Sequence, residues 1–397
     1  MSDITRRAAA AGTAANLLIL NSQTAFGSQA NSAVSFGIIG TGGRGTLVGT
    51  LMAKNPGTRL AAISDLYGDK IDSAKTNIPT ADKAKVYRNY KELLADKSID
   101  AVLISTPVYL HPEHFEAAVP SGKHIYCEKP AGADVPGVLR LARAAKGIAA
   151  DRVVQFGFQQ RFAPQYLKAM EALKTGKIGE MKLMISYWVI GGMPPLKAPN
   201  VPWTGEEEKI RTWGRWMATS GGPIVEQDCH GIDMLNWYAG EQHPTHAIGT
   251  GGLRYPVHYG DWKTDHHNVT YFYPDRLEGW LTSIKYTADF RSVKEQLFGS
   301  KGLIEIARTY YKFHAPNANS PLRNADDLED KTLIEQMESR RDITADAVAH
   351  FFQRIVDKKP YNMSQIAIDS TLTALMGRLS IERGGKEVTW AEMQKMG

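Results

Sequence analysis

The sequence predicts an α/β protein. An N-terminal doubly wound parallel sheet is followed by a C-terminal α+β part whose sheet is mainly antiparallel. Three observations carry the prediction. Over residues 33–149, short and almost continuously apolar runs alternate with stretches of helical spacing, the pattern of a parallel sheet covered on both faces. The first run enters a glycine-rich turn that opens a helix. Beyond about Gln155, strand-like runs follow one another with few helical intervals, as antiparallel neighbours do. The 397 residues, 43% of them hydrophobic, suffice for two cores.

The elements follow in order. "AVSFGIIG" (33–40) is an apolar strand ending in glycine, and "TLVGTLMAKN" (46–55) has helical spacing at Leu47, Val48, Leu51 and Met52. "RLAAISD" (59–65), "DAVLISTP" (100–107) and "KHIYCEKP" (123–130) are further strands, with "HPEHFEAAV" (111–119) a helix between the last two. "DVPGVLRLARAAKGIA" (134–149) is a helix with Asp134 as N-cap and Pro136 in its first turn. In the second half, "MKLMISYWVIGG" (181–192), "NVTYFYP" (268–274), "LEGWLTSIKY" (277–286) and "VKEQLFGSKGLIEIA" (293–307) are strands broken at Gly or Pro. "NANSPLRNADDLEDK" (317–331) is a polar loop, and two amphipathic helices, 345–359 and 367–384, close the chain.

The glycine turn is specific because of its context. Gly40, Gly42 and Gly45 satisfy G-x-G-x-x-G within "GTGGRG" between a strand and a helix, and the acidic Asp65 follows twenty residues past Gly45. Gly40 permits the tight turn, Gly42 lets a pyrophosphate approach the backbone, and Gly45 lets the helix pack on the strand. Thr41, Gly43 and Arg44 complete the phosphate loop. Asp65 is suited to the ribose hydroxyls and repels a 2′-phosphate, so NAD is expected over NADP, a preference that Arg44 partly offsets.

With these residues in view, the chain resembles the glucose–fructose oxidoreductase / inositol dehydrogenase / MocA family. Thr106-Pro107 with His111, then Ser121-Gly122-Lys123-His124-Ile125, then Glu128-Lys129-Pro130 repeat that family's motifs at their intervals, and "GFQQRFAPQY" (157–166) resembles the start of its second domain. The resemblance implies an NAD-binding Rossmann domain over 33–155. It also implies a substrate-binding and oligomerisation domain over 156–397, with an open, mainly antiparallel sheet and helices on one face. It places Ser105, Thr106, Pro107, His111, Glu128 and Gln159 around the cofactor and Arg161 near cofactor or substrate, with a surface salt bridge as the alternative for Arg161. It makes Lys129 the residue that bonds the substrate hydroxyl and helps move its proton. A lysine suits this role because burial and positive neighbours lower its pKa readily.

The second half carries "GGPIVEQDCHGIDMLNWYAG" (221–240), where His230 and Asp233 match the family's D-x-G-x-H-x-x-D. Glu226 stands four before His230, where the family has aspartate, and Asp228 replaces the usual glycine. On one helix Glu226 and His230 share a face. The expected catalytic set is therefore Lys129 and His230 for the hydroxyl proton, Glu226 as orienting carboxylate, and Asp228 as an extra acid near the sugar. Trp203, Trp213 and Trp216 offer apolar faces to a sugar ring or serve packing alone.

The expected activity is hydride transfer between NAD, tightly held, and a secondary hydroxyl of a sugar, glycoside or cyclic polyol. The alternative is an NAD-dependent glycosidase that oxidises, eliminates, hydrates and reduces with no net redox, which Asp228 would suit. A nucleotide sensor without turnover is the non-enzymatic reading, and the presence of Lys129 and His230 argues against it. No metal set is convincing, because His266 and His267 diverge on a strand and the two cysteines, Cys127 and Cys229, lack zinc spacing. The net charge of +5 is spread rather than striped, which speaks against nucleic acid. Residues 1–30, with Arg6-Arg7, the mildly apolar Ala8–Leu20 and Ser28-Gln29-Ala30, resemble a twin-arginine export signal. A periplasmic or exported protein follows, with a cytoplasmic one as the alternative. No apolar run approaches the roughly eighteen residues of a membrane span, so no membrane segment is expected after signal removal. A homodimer or homotetramer is expected from the resemblance alone.

Overall fold

Six parallel strands form the body of the first sheet: β1 (Val34–Ile39), β2 (Thr58–Ser64), β3 (Lys85–Tyr87), β4 (Ala101–Ile104), β5 (His124–Cys127) and β6 (Val153–Phe156). Their spatial order is β3-β2-β1-β4-β5-β6, so the chain reverses direction across the sheet between β1 and β4. This computed structural model describes residues 33–190, 203–254, 260–287, 290–316 and 332–396. The expected signal over 1–30 and the polar loop over 317–331 lie outside the described residues.

All six residues of β1 are buried, so its side chains feed both faces of the sheet. Phe36 and Ile38 join one core with Val48, Met52, Phe351 and Phe352, while Ile39 joins the other with Val102, Phe115, Val138 and Phe156. The helix Val135–Ala145 starts as expected, with Asp134 Oδ1 accepting from Gly137 N–H at 2.8 Å.

The second sheet has nine strands: β7 (Met181–Val189), β8 (His246–Gly252), β9 (His266–Phe272), β10 (Glu278–Ile284), β11 (Ser292–Gly299), β12 (Leu303–Ala307), β13 (Tyr310–His314), β14 (Leu333–Glu338) and, after β15 (Tyr361–Asn362), β16 (Val388–Thr389). Their order is β14-β13-β12-β11-β7-β10-β9-β8-β16, antiparallel throughout except for β7 beside β10. The expected class, a parallel doubly wound sheet plus a large mainly antiparallel one, is borne out. The helices Cys229–Tyr238 and Ser364–Glu382 bury most of their residues between the sheets.

The chain does not divide between the sheets at a single point. The helix Ile343–Val356 returns to the first sheet, where Phe352 meets Phe36 and Phe351 meets Tyr126 edge to face. β15 then pairs parallel with β6 as a seventh strand.

Candidate active site

The glycine turn lies where the strand order reverses, the position at which open parallel sheets bind ligands. Gly40 has φ +90°, and a Cβ there would lie 2.8 Å from the Ser105 carbonyl oxygen just past β4. Only glycine accepts both the angle and the contact. A Cβ at Gly45 would stand 2.0 Å from the Gly40 carbonyl oxygen, so the helix Gly43–Lys54 approaches β1 only without one. Gly42 and Gly43 differ, because among the described residues a Cβ at either meets nothing within 4 Å. That open space lies over the first helical turn, whose N–H groups lack intrahelical acceptors and carry the positive dipole end. A diphosphate suits it.

Asp65 follows β2 and is held by the same turn. Its Oδ2 accepts from Thr41 N–H at 2.8 Å and Thr41 Oγ1 at 3.1 Å, and its Oδ1 accepts from Tyr67 N–H at 3.0 Å. Ser105 Oγ donates to the Gly40 carbonyl at 2.7 Å, which ties the end of β4 to the turn. A cleft of about 570 Å³ runs along these strand ends. Gly40, Gly42, Gly43, Arg44, Asp65, Ser105, Thr106, Pro107, His111, Glu128 and Lys129 line it, with Glu226 from the second half.

His111 connects two loops of the lining. Its Nδ1 lies 2.7 Å from the Pro130 carbonyl and its Nε2 2.9 Å from the Thr106 carbonyl. Burial pushes its pKa down to about 4, so the ring is neutral and donates to one carbonyl at a time. Glu128 is buried beneath Arg44, Nε to Oε1 3.0 Å, in space that exists because residue 157 is glycine; a Cβ there would stand 2.4 Å from Glu128 Oε2.

Lys129 leaves the end of β5 and points across the cleft. Its Nζ donates to the Glu226 carbonyl oxygen and to Glu226 Oε1, the latter at 3.2 Å. Burial alone would lower its pKa, but Glu226, Cys229 and Glu128 outweigh burial and the net shift is upward. The expectation of a lowered lysine pKa is thereby corrected, because the neighbours are carboxylates rather than cations.

His230 is buried outside the cleft lining, stacked on Trp188 with ring centroids 5.6 Å apart and an 11° interplanar angle, and edge-on to Phe158. Burial, reinforced by the charges of Lys129, Arg308 and Arg44, holds its pKa well below the ordinary 6.5. The ring is thus kept neutral, where an unperturbed imidazole titrates near neutrality. Among the described residues its Nδ1 has no hydrogen-bond partner.

Glu226 and His230 do not share one continuous helix. The helix Pro223–Glu226 ends, and the helix Cys229–Tyr238 begins after Asp228. Asp228 turns away from the cleft lining into the second sheet. Its carboxylate is fully buried, with Oδ2 2.6 Å from His267 Nε2 and Oδ1 2.5 Å from Lys285 Nζ. Arg161 also lies outside the lining. Its guanidinium grips Asp233 at 2.7 and 2.9 Å and reaches Glu241 at 2.7 Å, a salt bridge that is buried rather than superficial. Gln159 is buried outside the lining as well. Among the tryptophans, Trp213 lines the cleft, Trp203 lies under the Arg211 guanidinium at 5.0 Å, and Trp216 Nε1 donates to Thr212 Oγ1. Among the described residues no group of three or more His, Cys, Asp or Glu is placed to hold a metal ion.

One contributor left no sequence signal. The helix Gly205–Arg211 crosses from the second half to the first. Arg211 pairs with both oxygens of Asp69 at 2.9 and 2.7 Å and stacks over the Tyr67 ring at 4.0 Å. Glu206, Ile210 and Arg211 thereby line the cleft beside Leu66 and Tyr67.

A glycine phosphate turn at the switch point of a parallel sheet, with a carboxylate closing the second strand, defines a dinucleotide-binding protein. Residues 34–158 match the family model described as "Oxidoreductase family, NAD-binding Rossmann fold", over the stretch that carries the glycine turn and the Glu128-Lys129-Pro130 motif. The myo-inositol 2-dehydrogenase of Thermotoga maritima is 28% identical over 206 residues, covering 52% of this chain and 55% of the relative. The inositol 2-dehydrogenase/D-chiro-inositol 3-dehydrogenase of Shouchella clausii is 34% identical over 148 residues, covering 37% of this chain and 42% of the relative. The chain spans about half the length of the curated relatives it matches. Solved structures carry the likeness of fold through both sheets. Levoglucosan dehydrogenase in complex with NADH and levoglucosan superposes with a TM-score of 0.74 at 16% identity, over 90% of this chain and 99% of that one. The scyllo-inositol dehydrogenase of Lactobacillus casei with bound NAD(H) and scyllo-inositol gives 0.68 at 21%, over 90% and 99%.

Proposed function

We infer that the protein is an NAD-dependent dehydrogenase of a secondary hydroxyl on a sugar, glycoside or cyclic polyol. The observation that carries this reading is the Lys129 ammonium at the end of β5, facing Glu226 across a cleft whose other end is the glycine turn. The named relatives act on inositols, and a structural neighbour is titled with levoglucosan bound.

The residues fit a nicotinamide dinucleotide. The first turn of the helix Gly43–Lys54 would hold the diphosphate and Asp65 the adenosine ribose, which favours NAD(H) over NADP(H). When bound, the nicotinamide supplies the hydride acceptor or donor. Lys129, charged, donates a hydrogen bond to the substrate oxygen and stabilises it as the proton leaves. Glu226 keeps Lys129 charged and aimed. His230, neutral and buried outside the cleft lining but within the electrostatic reach of Lys129, is assigned the proton. Trp213 offers the ring a face. The helix Gly205–Arg211, clamped by Arg211 to Asp69 and Tyr67, roofs the adenosine end and supports slow cofactor release.

The hydrolytic alternative drew on Asp228 as a second acid, and that carboxylate is already engaged by His267 and Lys285. Net redox is therefore preferred. The test is NADH formation with a panel of inositols, hexoses and 1,6-anhydrosugars, with aryl glycosides alongside. Substrate-dependent NADH is expected, and aglycone release without it would reverse the choice. Mass spectrometry of freshly purified protein reads which dinucleotide it holds.

A further inference from the structure

The four-residue step from Glu226 to His230 is not an uninterrupted helix. Gln227 sits at φ −107°, ψ −53°, Asp228 N–H reaches back to the Pro223 carbonyl at 3.2 Å, and His230 N–H makes only a 3.4 Å contact with the Gln227 carbonyl. Gln227 N–H still bonds the Pro223 carbonyl at 2.9 Å and Ile232 N–H the Asp228 carbonyl at 3.0 Å, so the irregularity is confined to the step from Asp228 to His230. Asp228 occupies the elbow, and its side chain is 0% exposed.

Two sheet residues hold that carboxylate. His267 belongs to β9, directly opposite Ser283 of β10, and Lys285 lies two residues beyond Ser283 on the same face. Lys285 is itself fixed, its N–H donating to the Asp265 carbonyl at 2.8 Å. The Lys285 charge and the donor on His267 Nε2 keep Asp228 ionised against its burial, so its pKa lies below the usual carboxylate value. Being ionised, Asp228 only accepts, and His267 donates from Nε2. Lys285 also lies 5.9 Å from the Trp188 ring centroid, and Trp188 carries His230 on its face. The same ammonium therefore touches the elbow and the platform under His230.

A buried ion pair is a poor way to gain stability, since apolar residues of equal volume commonly serve as well or better. Directed bonds to both oxygens of one carboxylate do something apolar packing does not: they fix a backbone position. We propose that Lys285 and His267 are positioning residues that, through Asp228, set the elbow so that Glu226 faces Lys129 while His230 lies against Trp188. This rests on the reading of the protein as a dehydrogenase.

The experiment compares the wild type, Lys285→Met and Asp228→Asn/Lys285→Met. The single variant leaves a buried carboxylate without its ammonium and is expected to lose melting temperature as well as kcat. The double variant removes both charges and is expected to regain melting temperature while kcat stays lower, on the order of 10²-fold, with KM and bound dinucleotide unchanged, as misplaced catalytic groups predict. Recovery of both kcat and melting temperature in the double variant overturns the proposal. So does a crystal structure of the double variant in which Glu226 still meets Lys129 and His230 still stacks on Trp188, whether or not turnover is seen. A wild type silent on the alcohol panel, with Glu226 or His230 displaced in the double variant, would overturn the dehydrogenase reading and leave the positioning role standing.

Discussion

Lys129 and Glu226 stand 97 positions apart in the chain and meet across the cleft, Nζ to Oε1 at 3.2 Å. One follows the C-terminal end of β5 inside the parallel sheet, the other ends the short helix before the elbow, so the contact exists only when both halves are folded together. Lys129→Met is expected to lower kcat by about 10²–10⁴-fold with dinucleotide affinity retained. Glu226 is what offsets burial at Lys129, so Glu226→Gln lets the lysine pKa fall. The alkaline limb of the pH–rate profile then moves to lower pH. Stopped-flow NADH formation across pH checks both, and an unmoved limb removes Glu226 from this role.

The glycines of the turn separate folding from binding. Gly42→Ala meets no described residue within 4 Å but places a methyl in the cleft. Its melting temperature is expected to stay within the effect of a neutral surface change, about 0.5 kcal/mol, while NAD affinity drops. Gly45→Ala drives a Cβ onto the Gly40 carbonyl and is expected to destabilise by about 1–3 kcal/mol. Calorimetry with and without NAD distinguishes the two.

His230 is held neutral by burial and by the positive charges of Lys129, Arg308 and Arg44. As pH falls below about 6.5, the unfolded chain binds a proton that the native ring refuses, so stability declines with acidification through this group. His230→Gln flattens that acid slope and lowers kcat. In the wild type, the ¹⁵N shifts of this ring at pH 6 should be those of a neutral imidazole; an imidazolium signature there contradicts the assignment.

Glu295 is buried behind the helix that carries His230, and burial pushes its pKa from 4.5 up to about 8, against the opposing effect of Arg308. Between those two values the native state keeps a proton that the unfolded chain has released. Stability therefore falls as pH rises through that window. Glu295→Gln should melt with less pH dependence from 5 to 8 and higher than wild type at its upper end.

Arg161 bridges Asp233 and Glu241 in the interior, and Ser370 Oγ adds a bond to Asp233 at 2.7 Å. Arg161→Ala strands the Asp233 carboxylate and is expected to cost about 3–5 kcal/mol of stability. The variant that remains folded should bind NAD as the wild type does. A selective loss of NAD affinity without loss of stability would return Arg161 to the cofactor site.

Much of this protein is legible in one dimension because its determinants are local. A strand running into G-x-G-x-x-G, an acid after the next strand and Glu128-Lys129-Pro130 after another each need only a few consecutive residues, and the strand ends of a parallel sheet bring them into one cleft. Other elements leave no pattern: β3 has three residues, β15 and β16 have two, and period-two alternation cannot be seen at that length. Which way Asp228 points, what Arg161 grips, and that Arg211 pairs with Asp69 depend on pairs separated by 39 to 142 positions. The titration of Lys129 and His230 was also settled by folding, since a pKa follows burial and neighbouring charge rather than residue type. The sequence by itself determined the sheet class, the phosphate turn and the lysine; the tertiary structure alone decided which carboxylate faces that lysine and which one is locked into the sheet, because only packing brings distant charges within reach of each other.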